Sequence, residues 1–213
     1  MNRLRIRFKR GAELKFVSHL DLIRVWHRAL RRAGVKLAFS EGFNPHPKLS
    51  LAAPLALGVT GEAELMDVYT VNPMAGVAFS QAVSPELPRG LEIVQTLAIP
   101  LEVPSLQAQV RFAEYAVTVA SPGGEMLQSS LDRMLAVQSL PWQHQRDTGV
   151  KRYDLRRLVD GLWVIRADGG EAVIGMKLCC DSTGAGRPEQ VTRALGLTEP
   201  LSIRRTRLIL QAG

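Results

Sequence analysis

Cysteine is nearly absent: Cys179 and Cys180 are the only two in 213 residues, and they are adjacent. On a strand they point to opposite faces, so neither a disulfide framework nor a multi-cysteine metal site follows. An iron–sulfur cluster needs three or four thiolates, so this chain does not carry one alone. Aromatic residues make up only 6%, and the aromatic pattern of an RNA-recognition motif is missing. The longest apolar run, Leu49 to Val59, contains Pro54 and Gly58 and is too short to span a bilayer. The start, Met1-Asn2-Arg3-Leu4-Arg5-Ile6-Arg7, lacks the apolar stretch of a signal peptide. The expectation is a cytoplasmic protein with no membrane role. No G-x-x-x-x-G-K, H-E-x-x-H, G-x-S-x-G or paired zinc-ligand spacing occurs, so no metal site and no cofactor are expected.

What is present is the composition of an ordinary globular protein, 46% hydrophobic and 22% charged. Positive charge is in excess by seven and is unevenly spread. Residues 1–60 hold 12 Lys/Arg against 3 Asp/Glu, and residues 61–104 hold 1 against 6. A basic N-terminal third points to a polyanionic partner, although a basic face that binds nothing accounts for the same charge.

Residues 3–9 alternate, with Leu4, Ile6 and Phe8 on one side and Arg3, Arg5, Arg7 and Lys9 on the other. That pattern predicts a half-buried strand with a cationic open face. Ser18 as N-cap and Asp21 in the first turn start a helix, and Leu22, Ile23, Trp26, Ala29, Leu30 and Ala33 form its apolar stripe. Gly34 ends it. Strands are expected near 35–40, 49–58, 62–71 and 91–99, with a helix near 72–82. In the second half, strands near 111–120, 162–167, 171–179 and 201–210 alternate with helices near 125–138 and 188–195. A turn at Ser121-Pro122-Gly123-Gly124 precedes the first of these helices, and Asp168-Gly169-Gly170 makes a hairpin. Residues 150–160 read equally as strand or short helix. Each half thus runs β-α-β-β-α-β, and the expectation is an α+β protein of two tandem ferredoxin-like (split β-α-β) subdomains, residues 1–103 and 104–213.

The helix carries Arg24, His27, Arg28, Arg31 and Arg32 opposite its apolar stripe. Guanidinium forks suit phosphate oxygens, so Arg3, Arg5, Arg7, Arg24, Arg28 and Arg31 are candidate backbone contacts for a nucleic acid. A solvated helix face explains the same residues. His19 sits at the helix start, a position that lowers a histidine's pKa and attracts anions. The loop Ser40-Glu41-Gly42-Phe43-Asn44-Pro45-His46-Pro47-Lys48 is stiffened by two prolines. It presents Asn44 and His46 for hydrogen bonds, Phe43 for stacking and Lys48 for a phosphate. His144, after Trp142, is expected to stand isolated in a loop with no evident role.

Several runs resemble one known family. They are Ser18-His19-Leu20-Asp21-Leu22, Arg28-Ala29, Arg31-Arg32-Ala33, Gly42-Phe43-Asn44-Pro45-His46-Pro47, Ala53-Pro54-Leu55, Tyr153-Asp154-Leu155-Arg156 and Arg205-Thr206-Arg207-Leu208. They look like the radical SAM-linked proteins, a bacterial domain of unknown function encoded beside, or fused to, a radical SAM protein. The resemblance implies a non-catalytic partner of a radical SAM enzyme, and family gene neighbourhoods favour an RNA connection. At the level of expected fold alone, tandem ferredoxin-like halves with a histidine near the first helix are similar to the CRISPR repeat-processing endoribonucleases.

Three readings follow. The first is an RNA-binding accessory protein that presents RNA or a ribonucleoprotein to a radical SAM enzyme for modification or maturation. The second is a metal-independent endoribonuclease with His19 and His46 as acid and base, which requires the two imidazoles within about 3–7 Å. The third is a protein-docking or small-molecule module with an apolar pocket lined by Phe39, Phe43 and Leu51.

Overall fold

The alternation at the N-terminus becomes strand β1, Asn2–Arg10, in a computed structural model that describes residues 1–120, 123–146 and 149–211. The chain divides into two units, one of residues 1–110 with 210–213 and the other of residues 111–209. The architecture is α+β, with antiparallel strands and few helices.

In the first unit β1 leads into helix α1, His19–Arg32. The Ser18 side chain accepts from the Asp21 N–H at 3.2 Å, and Gly34 takes φ 71° just past the last turn. Then come β2 (Leu49–Leu51), β3 (Thr60–Thr70), α2 (Gly76–Val83), β4 (Leu91–Ile99) and the short α3 (Leu106–Gln109). The strand order is β2-β3-β1-β4, with β1 antiparallel to both β3 and β4. Leu4, Ile6 and Phe8 face Leu22, Trp26 and Leu30 of α1 and Phe79 and Val83 of α2 in one core. Burying each of these leucines contributes about 1.5–3 kcal/mol. The Trp26 ring meets Phe8 edge-on at 5.1 Å.

The second unit contains β5 (Val110–Ala120), α4 (Gly124–Ala136), the hairpin β6 (Pro141–Arg146) and β7 (Gly149–Asp154), β8 (Val159–Asp168), β9 (Glu171–Asp181), β10 (Gly184–Ala185), α5 (Pro188–Ala194) and β11 (Ser202–Leu210). Its main order is β8-β9-β5-β11, and β10 adds to the end of β9. Leu127 and Leu131 of α4 are buried, as are Ile174, Met176 and Leu178 of β9.

Four expectations need correction. The boundary lies at Val110/Arg111 instead of residue 103, because residues 104–109 fold back onto the first unit. The Gln107 amide donates to the Leu51 carbonyl at 2.9 Å, and the Arg3 guanidinium to that of Pro104. Residues 35–40 make only isolated bridges, Leu37 with Thr70 and Phe39 with Pro47. The strand expected over 49–58 stops at Leu51, where Pro54 lacks the donor a ladder needs. His144 is on β6, not in a loop, and residues 150–160 supply both β7 and a 3₁₀ turn at Arg156–Leu158. The turn expected at Ser121-Pro122 lies outside the described residues.

Candidate nucleic-acid interface

The open face of β1 is cationic in sequence and mostly closed in structure. Arg3 is 1% exposed, and its Nε and Nη2 donate to Asp67 Oδ2 at 2.8 and 2.6 Å. Its other donors meet the carbonyls of Val103 at 2.6 Å and Pro104 at 2.9 Å. Arg5 grips the other side of the same carboxylate, 2.8 Å from Asp67 Oδ1, and reaches Gln109 at 3.2 Å. Arg3 and Arg5 are therefore structural, and the expectation that they hold phosphates is corrected. Asp67 stands opposite Arg5 on β3, and the chain leaving β4 closes over both guanidinium groups. Arg7 alone of the three remains exposed, with no ion pair among the described residues. Lys9 is exposed and bonded to Glu92 at 3.1 Å.

On α1 the exposed face carries Arg24, Arg28, Arg31 and Arg32. Arg24 bonds Asp21 at 2.7 Å, one helical turn back, and Arg32 bonds Glu86 at 2.7 Å. Such exposed pairs are worth about 0–1 kcal/mol and yield readily to a competing anion. Arg28 and Arg31 make no ion pair among the described residues, although the charge of Arg28 reaches Asp21 and helps to lower its pKa. His27 is half-buried.

The proline loop begins just beyond the C-terminal end of α1. Tyr69 of β3 and Val71 just past its end hold the stem: the Val71 N–H donates to the Lys36 carbonyl at 2.9 Å, and the Tyr69 N–H to that of Lys48 at 3.1 Å. Ser40 closes the tip, donating its N–H to the His46 carbonyl at 2.8 Å and accepting the His46 N–H on its hydroxyl at 2.9 Å. Gly42 takes φ 113°, where a side chain is strained. Within this clasp Phe43, Asn44 and His46 are exposed, Phe43 completely so. Lys48 is half-buried at the base of the loop, not at its tip.

His19 lies at the opposite end of the sheet. The Arg10 guanidinium donates to the Val17 carbonyl at 2.7 Å, which places the start of α1 beside the end of β1. Partial burial lowers the pKa of His19, and the charge of Arg10 lowers it further. The loop is anchored at Tyr69, which pairs with Arg3. Seven residues of strand separate Arg3 from Arg10, about 23 Å at 3.3 Å per residue. The start of α1 is thus tied to the Arg10 end of β1 and the stem of the loop to its Arg3 end, an arrangement that does not favour an acid–base pair of His19 and His46. Phe39, Phe43 and Leu51 are not gathered into one apolar pocket, because Leu51 is buried in the core whereas Phe39 and Phe43 stand in solvent.

Sequence reasoning passed over a second cluster, in the other unit, where His144, Lys151, Tyr153 and Gln190 line one cavity. Its traces in sequence were the basic and aromatic run Lys151-Arg152-Tyr153 and the short glycine turn Gly184-Ala185-Gly186-Arg187-Pro188, a weak signal for an anion-binding turn before the last helix.

The fold is similar to that of a chain in the crystal structure of a Cbf5-Nop10-Gar1 complex, with TM-score 0.52 and 11% identity over 96% of this chain and 48% of that one. A chain of the archaeal box H/ACA sRNP Nop10-Cbf5 complex matches with TM-score 0.49 and 12% identity, over 97% and 48%. The protein spans about half the length of these solved chains, and the likeness concerns fold alone. No curated protein matches its sequence. A family profile matches residues 3–188, and the chain belongs to the family described as "Uncharacterized protein conserved in bacteria (DUF2344)".

Proposed function

We propose that the protein is an RNA-binding accessory factor, with its phosphate-binding surface on α1 and its specific contacts in the proline loop. The observation that carries this reading is that Arg28 and Arg31 are exposed without ion-pair partners among the described residues, at the end of α1 from which the loop departs. Two cations of fixed helical spacing suit successive phosphates. A loop clasped by Ser40 and His46 offers the Phe43 ring for stacking, with little entropy left to lose. Arg7, Arg24 and Lys48 are secondary contacts. Arg3 and Arg5 take no part.

The proposal extends to a radical SAM enzyme as the partner that performs the chemistry, on the resemblance of the sequence motifs. The two cysteines supply too few thiolates for a cluster, which agrees with a division of labour. We read both units as ferredoxin-like. Support comes from the two strand orders, β2-β3-β1-β4 and β8-β9-β5-β11, in which the first and third strands of each unit are central neighbours.

The test is binding of the full chain to a mixed-sequence single-stranded RNA across a salt series. Affinity falls as salt rises, by about 0.7 log unit per log unit of salt for each phosphate contact. The double variant Arg28→Gln/Arg31→Gln weakens binding and makes that slope shallower by roughly one to two units. Phe43→Ala costs about 1–3 kcal/mol and leaves the slope unchanged. Binding that ignores salt, or survives both variants intact, overturns the proposal.

A further inference from the structure

The second unit holds a cavity of about 510 Å³, bordered by the β6–β7 hairpin, the 3₁₀ turn at Arg156–Leu158 and the strand β10. Its size falls within the roughly 300–1,000 Å³ of small-molecule sites. Three cations line it: Lys151, Arg157 and Arg187. A single carboxylate, Asp154, stands against them, and it is occupied. Its Oδ1 accepts the N–H of Leu140 at 2.8 Å and of Arg156 at 3.0 Å, and Arg157 approaches it only to 3.7 Å. Arg187 has no ion pair among the described residues. Cys179 also lines the cavity, but burial, followed by the nearby Asp181, pushes its thiol pKa up, so it adds no negative charge. The cavity therefore carries a net positive surplus, three cations against the one ionised carboxylate of Asp154.

A second observation is independent of charge. Gln190 is 6% exposed, and its Oε1 accepts the Tyr153 hydroxyl at 2.5 Å. The other end of that carboxamide has no partner among the described residues, although the side chain lines the cavity. That free nitrogen is not sealed from solvent, so it faces the cavity as a donor open to water or a ligand. The ring of Tyr153 is fixed by the same bond, with the Lys151 ammonium 5.8 Å from its centre. Leu158 and Ala185 add apolar wall.

Cations for a phosphate, a pinned aromatic ring for a planar body and an amide for a base edge belong together. We propose that this cavity binds a nucleotide, with the phosphate on Arg187, Arg157 and Lys151 and the base against Tyr153 and Gln190. The site lies wholly in the second unit and does not rest on the RNA surface of α1. A free nucleotide and a nucleotide at the end of an RNA share the required chemistry.

Calorimetric titration of the full chain with 5′-AMP, adenosine and inorganic phosphate tests the proposal. The nucleotide is expected to bind, with adenosine and phosphate each weaker by roughly tenfold or more, since each lacks one half of the recognition. Arg187→Gln removes an exposed guanidinium without disturbing the core and weakens 5′-AMP roughly tenfold; Gln190→Leu does the same, with thermal melting as the check on folding. Arg28→Gln/Arg31→Gln leaves 5′-AMP binding unchanged. Competition by a 5′-phosphorylated hexanucleotide assigns the site to an RNA end, and failure to compete assigns it to the free nucleotide. No 5′-AMP binding at millimolar concentration, equal binding by Arg187→Gln, or loss of binding in the α1 variant overturns it.

Discussion

Asp67 shows how one carboxylate decides what a run of arginines does. It is 1% exposed and receives two bonds from Arg3 and two from Arg5. A buried pair of this kind gives small net stability, because desolvation offsets the attraction, but breaking it leaves an uncompensated charge. Asp67→Asn keeps the shape, removes the charge and strands the buried Arg3. The expected loss is about 3–5 kcal/mol, read as a lower urea midpoint. A loss below about 1 kcal/mol would mean that water reaches the guanidinium groups in solution. His19 gives a pH test at the same scale. Its pKa is lowered in the folded protein from 6.5, chiefly by burial and then by Arg10. The unfolded chain therefore binds its proton more readily, so this contribution to stability is complete above 6.5 and is lost as pH falls towards the folded value. The urea midpoint should drop between pH 7.5 and 5.5, and His19→Gln should flatten that drop. The carboxyls held low in the fold, Asp21, Asp154 and Asp181, act at lower pH and leave this window clear. An unchanged slope in the variant would show that His19 titrates alike in both states.

Elements built from local signals were legible in the sequence, and those that depend on distant partners were not. The Ser18 cap, the stripe through Leu22, Trp26, Ala29 and Leu30, and Gly34 past the end all lie within 17 residues, and α1 spans His19–Arg32 as they require. The alternation of β1 correctly placed Leu4, Ile6 and Phe8 in the core. The same alternation could not tell an open cationic face from a sealed one. The seal on Arg3 comes from Asp67, 64 positions on, and from carbonyls 100 and 101 positions on. The loop was legible because proline and glycine act on their own backbone, and Phe43, Asn44 and His46 do reach solvent. The second-unit cavity was not. It gathers side chains from separate short segments between His144 and Gln190, and no single segment outlines the site.

For the molecule as a whole, the charge asymmetry divides into a neutralised part and a surplus. Carboxylates of the acidic stretch 61–104 are taken up by the basic N-terminal third: Asp67 by Arg3 and Arg5, Glu86 by Arg32, and Glu92 by Lys9. The net excess of seven positive charges is left on a chain whose exposed pairs are individually weak. Self-repulsion of that surplus opposes the compact state, and mobile ions screen it within about 10 Å at 0.1 M salt. The buried Arg3–Asp67 contact lies beyond the reach of such screening. Salt should therefore act with opposite sign on two observables of the same protein. Raising potassium chloride from 50 to 500 mM should raise the melting temperature by a few degrees, about 1 kcal/mol of relieved repulsion, while RNA affinity falls. Arg28→Gln/Arg31→Gln should reduce both responses together, because the same two unpaired cations supply part of the repulsion and part of the proposed phosphate binding. A melting temperature that falls with salt would mean that the exposed pairs, Lys9 with Glu92 and Arg32 with Glu86, outweigh the surplus; the cations that repel would then not be those that grip the RNA.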